Sequence, residues 1–429
     1  MKIGLISLGC PKNQVDLEHF AGSLPKQAEL TVSLEEADLV IINSCGFITE
    51  ATVETLQTLF ETRRTVKNGA KIALVGCLAE RYKNEDLSDI VKEADFIAGV
   101  DEFDKLFDYM RSIDKRFCKT SRIMGERFLL NPLSYAYLKI SEGCGNRCTY
   151  CTIPAIRGSH RSFGRKTLLK ETYSLAEKGV KEIILIAQDI TKYGRDNNSA
   201  YFLPDLLEEL ASSFSQIYFR ILYLNPDGIS DELIKTVQRC DNIIKYFDIP
   251  IQHASDAILR RMGRHYTVSD VKEVLDKIRA AIPDVFIRST FITGFPGESE
   301  DDFNQLADFL SEYKPDYAGF FIYSPEEGTP ACKFSGKILK KTARARLKKL
   351  QTIQKNNTLN RLRKLRDIHI LVDKLNADFD FILDAHALFQ TPEIDGITYV
   401  LKGRAANGEG VYRARVKRVV YPDIYVELI

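Results

Sequence analysis

Short apolar segments alternate with helical patterns along most of the chain, and this alternation constrains the fold more than any other feature. Near the N-terminus the apolar segments span residues 3–8, 39–42 and 72–75, and helical patterns lie between them. Each segment is bounded by Gly, Asn or Ser, and such short, uniformly apolar strands are typical of a parallel sheet buried on both faces. We therefore predict an N-terminal α/β domain with a parallel sheet over residues 1–118.

A second alternating series of strands and helices follows this domain. Its six apolar segments, all between residues 135 and 333, are AYLKIS, EIILIAQ, YFRILYL, YFDIPIQ, VFIRSTFITG and YAGFFIYS. Helical patterns lie between them, and most of the segments run into polar residues or glycine. This arrangement predicts a central partial (β/α)6 barrel within residues 130–362. In such α/β barrels the chemistry lies at the carboxyl ends of the strands.

A basic helical stretch connects the barrel to the last part of the chain. Residues 337–366 contain twelve Lys or Arg residues and no Asp or Glu. Such a stretch is either a solvated connecting helix or a contact for RNA or an acidic partner. Charge alone favours the connecting helix.

The C-terminal residues 364–429 alternate apolar and polar side chains, which predicts a small antiparallel β-barrel. Residues 367–395 contain seven acidic residues and one Lys. An acidic barrel face would suit a basic protein partner better than an RNA backbone, which requires positive charge. An ordinary charged surface accounts for the same composition equally well.

Whole-chain composition excludes several classes of protein. A chain of 429 residues is too long for a single hydrophobic core, so we expect two or three domains. The net charge of +1 indicates no obligatory polyanionic partner. The N-terminus, MKIGLISLGC, does not resemble a signal peptide, and no apolar run is long enough to span a bilayer. We expect a cytoplasmic protein without a membrane partner. Its nine cysteines then suggest metal binding rather than disulfides.

Three cysteines form one crowded set directly after the strand AYLKIS. Cys144, Cys148 and Cys151 stand in EGCGNRCTYCTIP with a C-x3-C-x2-C spacing. Three thiolates on one short loop can hold a cubane iron–sulfur cluster and leave one iron open to an outside ligand. A zinc site would need a fourth ligand; His160 is nearby but lacks a standard spacing.

A second set of three cysteines is dispersed in sequence but shares one local setting. Cys10, Cys45 and Cys77 each follow a buried strand by one or two residues, in LISLGC, VIINSC and ALVGC. The carboxyl ends of parallel strands meet at one edge of the sheet, so we expect these thiols to converge and hold another cluster. Alternatively, each could be a small buried apolar residue. The remaining cysteines, Cys118, Cys240 and Cys332, show no pattern and are interpreted as structural.

Polar residues at later strands are candidate cofactor contacts. Gln188 and Asp189 follow the strand EIILIA, and Arg288 precedes a Gly-Phe-Pro-Gly loop that opens a helix. Such positions allow a ligand to approach the backbone closely. Turns and helix caps explain most such residues individually.

The cysteine loop resembles the signature of the radical S-adenosylmethionine superfamily, with Tyr150 as the aromatic residue before the third cysteine. That resemblance implies a 4Fe–4S cluster at Cys144, Cys148 and Cys151. The cluster would bind and reductively cleave S-adenosylmethionine (SAM). It also makes Gln188, Asp189 and Arg288 candidate SAM contacts.

Across nearly the whole chain the sequence is similar to the methylthiotransferase family. The motifs that carry the similarity are GCPKNQVDLE, NSCGFITEA, VGCLAERY, CTIPAIRGSHRS and a C-terminal barrel like the family's TRAM domain. The resemblance implies that Cys10, Cys45 and Cys77 hold an auxiliary 4Fe–4S cluster. It also implies an electron donor such as a flavodoxin or ferredoxin. The sequence departs from the family after Arg161 and Ser162, where Phe163 and Gly164 stand in place of a further arginine.

Two branches of this family modify different substrates. One modifies a tRNA adenosine beside the anticodon, and the other modifies the β-carbon of an aspartate in small-subunit ribosomal protein twelve. The motifs GCPKN, NSCGFI and QTPEIDG resemble the ribosomal-protein branch, so we expect a ribosomal protein substrate and keep tRNA as the alternative. A non-catalytic iron–sulfur carrier would explain both cysteine sets but not the barrel.

Overall fold

The computed structural model describes residues 1–25, 28–85, 87, 91–117, 127–130, 134–196, 200–375, 383–402 and 410–429, and Cys118 lies outside them. The chain divides into two compact units. The first unit comprises Met1–Asn131, Tyr137–Ser174 and Glu326–Thr329. The second unit comprises Pro132–Ala136, Leu175–Pro325 and Pro330–Ile429.

A five-stranded parallel sheet lies at the centre of the first unit, as predicted. Its strands are β1 (Lys2–Ser7), β2 (Glu29–Thr31), β3 (Leu39–Ser44), β4 (Lys71–Gly76) and β5 (Phe96–Ala98), in the order β2-β1-β3-β4-β5. Alternate residues of β3 enter two different cores: Leu39 and Ile41 pack on one face, and Val40 and Ile42 pack on the other. Both faces are therefore buried, which explains why the strand is uniformly apolar. The sequence pattern missed β2 and β5, which are only three residues long.

Helices and short strands complete the first unit. They are α1 (Pro11–Gly22), α2 (Thr49–Thr65), α3 (Cys77–Arg81), α4 (Phe103–Ile113), β6 (Tyr135–Lys139), β7 (Ser141–Glu142), α5 (Ile153–Arg157), β8 (Arg161–Ser162) and α6 (Arg165–Glu177). The first residues of β6 and the last residues of α6 belong to the second unit. Helix α1 begins with Pro11 because a proline at the first helical position lacks only a hydrogen bond that this position cannot make.

Parallel strands and helices form the larger part of the second unit. The strands are β9 (Glu182–Ile186), β10 (Tyr218–Ile221), β11 (Tyr246–Gln252), β12 (Phe286–Thr293) and β13 (Tyr317–Ile322). The helices are α7 (Leu203–Ser213), α8 (Asp231–Arg239), α9 (Asp256–Arg261), α10 (Val268–Ala281), α11 (Glu300–Tyr313) and α12 (Lys340–Leu362). Strand β9 pairs with β10, and β11, β12 and β13 pair in sequence, always in parallel. All six predicted barrel segments thus form strands.

The basic stretch forms helix α12, which packs along one face. Ala343, Leu350 and Leu362 are buried on that face. The amide Nε2 of Gln354 and the hydroxyl of Thr358, also on that face, donate to backbone carbonyl groups. Contact of the exposed lysines with RNA or an acidic partner stays a prediction. No helix among the described residues is long and apolar enough to cross a membrane.

A closed five-stranded barrel ends the chain. Its strands are β14 (Asp367–Leu375), β15 (Leu383–Ala387), β16 (Thr398–Lys402), β17 (Gly410–Val420) and β18 (Asp423–Leu428), in the order β14-β15-β16-β18-β17. The predicted small antiparallel barrel is confirmed at four of its five pairings, and β16 and β18 run in parallel. Five strands in a closed ring cannot all alternate in direction, so a barrel of this size must contain a parallel pair.

Composition predicted an acidic face on the C-terminal barrel, but two of the acidic residues counted toward it, Asp373 and Asp395, do not contribute to it. Asp395 is buried, accepts a hydrogen bond from the Tyr246 hydroxyl and forms an ion pair with Arg288. Asp373 is mostly buried and faces His386. These carboxylates neutralise interior cations rather than a basic partner, which counts of charge along a sequence cannot reveal.

A buried ionic network lies within the second unit. Arg220 on β10 contacts Glu182 on β9 with Nε 2.6 Å from Oε1, and both side chains are fully buried. His386 on β15 lies between two carboxylates, with Nε2 2.9 Å from Glu182 Oε2 and Nδ1 2.9 Å from Asp373 Oδ2. Arg220 also donates to the Leu388 carbonyl oxygen at 3.1 Å. The network therefore ties the C-terminal barrel to strands β9 and β10.

This network should give the protein a maximum of stability at mildly acidic pH. Burial disfavours the charged form of His386, but Glu182 and Asp373 outweigh burial and raise its pKa from 6.5 to about 9. Burial alone would raise the pKa of Glu182, but Arg220 and His386 lower it from 4.5 to about 2. The histidine's contribution is complete below pH 6.5 and is lost as pH rises towards 9. The glutamate's contribution is complete above pH 4.5 and is lost as pH falls towards 2.

The measurement is the thermal midpoint of cofactor-free protein at pH values from acidic to alkaline. In the variant His386→Gln the thermal midpoint should fall less steeply as pH rises above neutral, and its fall at acidic pH should be unchanged. An equally steep alkaline fall in wild type and variant would contradict the assignment to His386.

Candidate metal centre

Two close approaches bring the three dispersed cysteines together at the carboxyl edge of the sheet. Gly9 has a φ of +85°, and a Cβ there would lie 2.7 Å from the Cβ and 2.8 Å from the Sγ of Cys45. A Cβ on Gly46 would lie 2.7 Å from the Cα of Leu78, the residue after Cys77. Glycine is therefore required on both sides for the loops to touch. The edge lies beside the position where the strand order reverses, the usual ligand site of such sheets.

Asn13, three residues after Cys10 on α1, joins the strand ends that carry the cysteines. Its Nδ2 donates to the carbonyl oxygens of Leu8 and Ser44, each at 2.9 Å. Its Oδ1 lies 3.4 Å from the Sγ of Cys77, which donates to it as a thiol. One buried amide thus contacts the ends of β1 and β3 and the first residue of α3.

Arg157, at the end of α5, contacts the same cysteine from a different segment. Its Nη2 lies 3.3 Å from the Sγ of Cys77 and also donates to Asn13 Oδ1. Its Nη1 donates to Asp16 at 2.7 Å and to Glu142 at 3.0 Å. Nη1 of the guanidinium therefore contacts the two carboxylates, and Nη2 contacts Cys77 and Asn13.

Lys139 completes a buried group of two cations and two carboxylates with Arg157, Asp16 and Glu142. Its Nζ donates to Asp16 and to Glu142, the latter at 2.6 Å. Burial would raise the pKa of Asp16, but the charges of Lys139 and Arg157 outweigh it and lower that pKa. The same balance lowers the pKa of Glu142. Both carboxylates are therefore charged at neutral pH and hold Arg157 in place.

The C-x3-C-x2-C loop begins after β7 and runs to α5. Cys144 N donates to the Gly158 carbonyl oxygen and Cys151 N to the Cys148 carbonyl oxygen, both at 3.1 Å. Arg147, between the first two cysteines, has a left-handed φ of 52°. All three cysteines are partly exposed. The loop is thus folded upon itself with three thiols at its surface.

The two cysteine sets belong to the same unit, and their loops touch. The Thr152 hydroxyl, next to Cys151, donates to the carbonyl oxygen of Phe47 at 3.1 Å, two residues after Cys45. Ile156 of α5 packs with Cys77 and Val100 in a small buried apolar cluster. The loops that carry the two predicted clusters are therefore neighbours.

An acidic residue far along the chain fixes the Cys45 loop. The Glu326 carboxylate accepts from the backbone N–H of Thr49 at 2.9 Å, at the first turn of α2. Arg81 of α3 donates from Nη1 to Glu326 at 2.9 Å and to the Gly46 carbonyl oxygen at 2.8 Å. Gly46 directly follows Cys45, so this ion pair holds the backbone beside that thiol.

The three dispersed thiols lie close enough to influence one another. Burial raises the pKa of Cys77 to about 11, with Cys10 and Cys45 adding to the rise and Arg157 opposing it. Burial likewise raises the pKa of Cys45. The thiols thus affect one another's pKa values, and a cluster would bind them as thiolates. Within the described residues no three His, Cys, Asp or Glu side chains are grouped around a single-ion site. Cluster thiolates bind different irons, so they need not surround one point.

The predicted SAM contacts Gln188 and Asp189 follow β9 directly, as expected. Asp189 is buried and caps a short turn, because its carboxylate accepts from the Thr191 backbone N–H at 3.1 Å and from the Thr191 hydroxyl at 2.6 Å. Gln188 is half-buried beside it. Both residues lie in the second unit, and their contact with SAM stays a prediction.

Arg288 lies near the beginning of β12 rather than at its carboxyl end. Its Nη1 lies 3.0 Å from Asp248 Oδ1, and its Nε lies 3.3 Å from Asp395 Oδ1. Two carboxylates thus balance its charge within the second unit. Contact between Arg288 and SAM likewise stays a prediction.

Sequence reasoning missed Asn13 and Arg157 as functional candidates. Both stand inside motifs that carried the family resemblance, GCPKNQVDLE and CTIPAIRGSHRS. The available signal was helical spacing: Asn13 is three residues after Cys10 and therefore shares its side of α1. No comparable signal connects Arg157 to Cys77, because their contact depends on the tertiary fold.

Comparisons with known proteins agree with this architecture. The sequence profile of the Radical SAM superfamily matches residues 138–310, and that of uncharacterized protein family UPF0004 matches residues 2–99. The radical SAM methyltransferase TsrM from Kitasatospora setae has a similar structure, with a TM-score of 0.58, 12% identity and coverage of 77% of this chain and 73% of TsrM. The cobalamin-dependent radical enzyme OxsB gives a TM-score of 0.50 at 14% identity, with 77% and 54% of the two chains covered. These likenesses show the fold alone.

Full-length relatives are more similar in sequence. The ribosomal protein uS12 methylthiotransferase RimO of Aquifex aeolicus is 38% identical over 99% of this chain and 96% of its own length. The RimO protein of Acetivibrio thermocellus is 41% identical over 93% of this chain and 92% of its own length.

A cysteine loop of C-x3-C-x2-C spacing after the first strand of a parallel α/β barrel defines a radical SAM protein, and the profile match agrees. A second set of three cysteines, at the sheet edge of the same unit, indicates a radical SAM enzyme with two clusters. The chain belongs to the RimO family of methylthiotransferases. Enzymes of this family use SAM and two 4Fe–4S clusters.

Proposed function

We propose that this protein inserts a methylthio group at the β-carbon of an aspartate in small-subunit ribosomal protein uS12. The observation that carries the proposal is the presence of two neighbouring three-cysteine sets in one unit, joined through Thr152 and Phe47. The family relationship supplies the substrate, because the full-length relatives are named for uS12.

The cysteine sets divide the chemistry between them in this proposal. Cys144, Cys148 and Cys151 hold the cluster that binds SAM, with Gln188, Asp189 and Arg288 as candidate SAM contacts. Cys10, Cys45 and Cys77 hold the auxiliary cluster. When bound, these groups supply the radical that removes a hydrogen atom from the substrate, the sulfur and the methyl group. The electron donor is a flavodoxin or ferredoxin.

The protein's own residues shield two of the three auxiliary cysteines from solvent, whereas Cys10 is partly exposed. Cys45 and Cys77 are only 8% and 6% exposed. Asn13, Arg157 and Glu326 fix the backbone and thiols around them through the contacts described above. Such pre-organisation lets the sulfur approach one substrate carbon while water is excluded.

The division into domains at residues 1–118, 130–362 and 364–429 is part of the same proposal.

An RNA substrate is the second candidate, favoured by one surface. The side chains of Arg413, Arg415, Lys417 and Arg418 on β17 are all exposed. Two carboxylates offset part of this charge: Asp367 forms ion pairs with Arg413 at 3.0 Å and Arg415 at 2.9 Å, and Glu427 forms one with Lys417 at 3.0 Å. A positive strand of this kind can approach a phosphate backbone.

A competition experiment decides between uS12 and tRNA as the substrate. Reconstituted enzyme with SAM and a reductant would receive purified uS12 and unmodified tRNA in equal amounts, and both would be analysed by mass spectrometry. We expect the mass of –SCH3 in place of one hydrogen on a uS12 aspartate and none on tRNA. Methylthioadenosine in the tRNA would overturn the uS12 assignment. Absence of SAM binding would instead favour an iron–sulfur carrier.

A further inference from the structure

The side chain of Arg157 contacts the sulfur of Cys77, one of the three auxiliary cysteines. The sulfur of Cys77 has two polar neighbours, Asn13 Oδ1 at 3.4 Å and Arg157 Nη2 at 3.3 Å. Asn13 Oδ1 can only accept, so its hydrogen bond from Cys77 is lost once Cys77 is a thiolate, and only the one from Arg157 remains. Arg157 can only donate, and its hydrogen bond becomes stronger with a thiolate. The arginine therefore suits the ligating form of this cysteine.

We propose that Arg157 is a positioning residue that fixes the Cys77 thiolate and raises the reduction potential of the auxiliary cluster. The inference rests on the proposed function, because it requires a cluster at Cys10, Cys45 and Cys77. Hydrogen bonds and positive charge at cluster sulfurs stabilise the reduced, more negative state. The potential of the cluster in turn decides whether its sulfur is reduced and nucleophilic enough to be transferred.

Burial makes this contact strong. The side chain of Arg157 is only 2% exposed, so solvent does not screen its charge. Asp16 and Glu142 hold Nη1, which leaves Nη2 aimed at Asn13 and Cys77. The guanidinium is planar, so anchoring one arm fixes the direction of the other.

Replacement of Arg157 by lysine separates its contact with the carboxylates from its contact with Cys77. A single ammonium can satisfy Asp16 and Glu142, which keeps the buried charges balanced, but it cannot also supply a second fixed donor at the sulfur. The variant Arg157→Lys therefore removes the contact with Cys77 while it retains the charge. The matched control is Arg127→Lys, because Arg127 is equally buried and forms ion pairs with Glu18 and Glu171.

The experiment uses the full-length protein with Cys144, Cys148 and Cys151 changed to Ala, so that all signal comes from the auxiliary cluster. Each variant is reconstituted anaerobically, its iron and sulfide are counted, and its midpoint potential is determined by redox titration with electron paramagnetic resonance. We expect Arg157→Lys to shift the midpoint to more negative potential, whereas Arg127→Lys keeps the parent value. Loss of iron in Arg157→Lys but not in Arg127→Lys would equally support a positioning role at Cys77.

Two results would overturn the inference. One is full iron content with the parent potential in Arg157→Lys. The other is an equal loss of iron in both variants, which would show that a buried arginine of either kind is needed only for folding. A parent protein without iron would instead contradict the auxiliary cluster of the proposed function, so the two failures are distinguishable.

Discussion

Replacement of Cys10, Cys45 and Cys77 by Ala should halve the iron content and abolish methylthio transfer, while reductive cleavage of SAM continues. The reason is that the proposed function assigns a separate cluster to each cysteine set and only the loop set to SAM. Two four-iron clusters give about eight irons in wild type and about four in this variant. Replacement of Cys144, Cys148 and Cys151 should likewise leave about four irons, but SAM cleavage should stop.

The matched control is the double variant Cys240→Ala and Cys332→Ala, since both residues are free cysteines outside the two sets. It should retain full iron content and activity. Iron analysis, deoxyadenosine release and mass spectrometry of uS12 provide the three readouts. Full methylthio transfer without Cys10, Cys45 and Cys77 would refute the division of labour between the sets.

Replacement of Arg220 by Met should reduce the free energy of unfolding by about 3 to 5 kcal/mol, the usual cost of removing one partner from a buried ion pair. Glu182 and Arg220 are both fully buried, so the remaining carboxylate would lose its nearest cation in a medium of low polarity. The guanidinium also lies over the Tyr246 ring, 4.9 Å from its centroid, and methionine would lose that contact as well.

Arg239→Met is the matched control for this change. Arg239 also pairs with a glutamate, Glu208, at 2.5 Å, but both side chains are about half exposed. Water and salt screen such a pair, so its loss should cost about 0 to 1 kcal/mol. Urea unfolding of the cofactor-free proteins, followed by circular dichroism, compares the two. Equal, small losses would mean that the buried network contributes little to stability.

The sequence could single out the candidate cysteines because their signal is local, and their role as cluster ligands stays a prediction. Each of Cys10, Cys45 and Cys77 follows a strand that is recognisable from its own residues, and the edge where parallel strands end is a property of the fold class. The loop cysteines were evident from spacing alone. By contrast, Arg157 acts through contacts with segments far away in sequence, which no periodicity indicates, and for Asn13 only its spacing from Cys10 was available.

Charge was the least reliable guide. Asp373 and Asp395 contributed to an expected acidic surface, yet the fold buries both beside cations. Arg288 was singled out by the loop that follows its strand, and the structure adds ion pairs with Asp248 and Asp395 that the sequence did not indicate, while its contact with SAM stays a prediction. The composition of a segment gives its charges but not their partners, and partners decide whether a charge faces solvent.

The position of Glu326 has a consequence for biosynthesis. Its carboxylate caps α2 at Thr49, 277 residues earlier in the chain, and pairs with Arg81. At roughly 5 to 20 residues per second, a ribosome needs about 15 to 55 s to reach it after Thr49 has been made. The Cys45 loop must wait through that interval without its acidic anchor. Nascent chains that stall before Glu326 should therefore leave this loop open to oxidation and proteolysis, so the anchoring of the loop waits on translation.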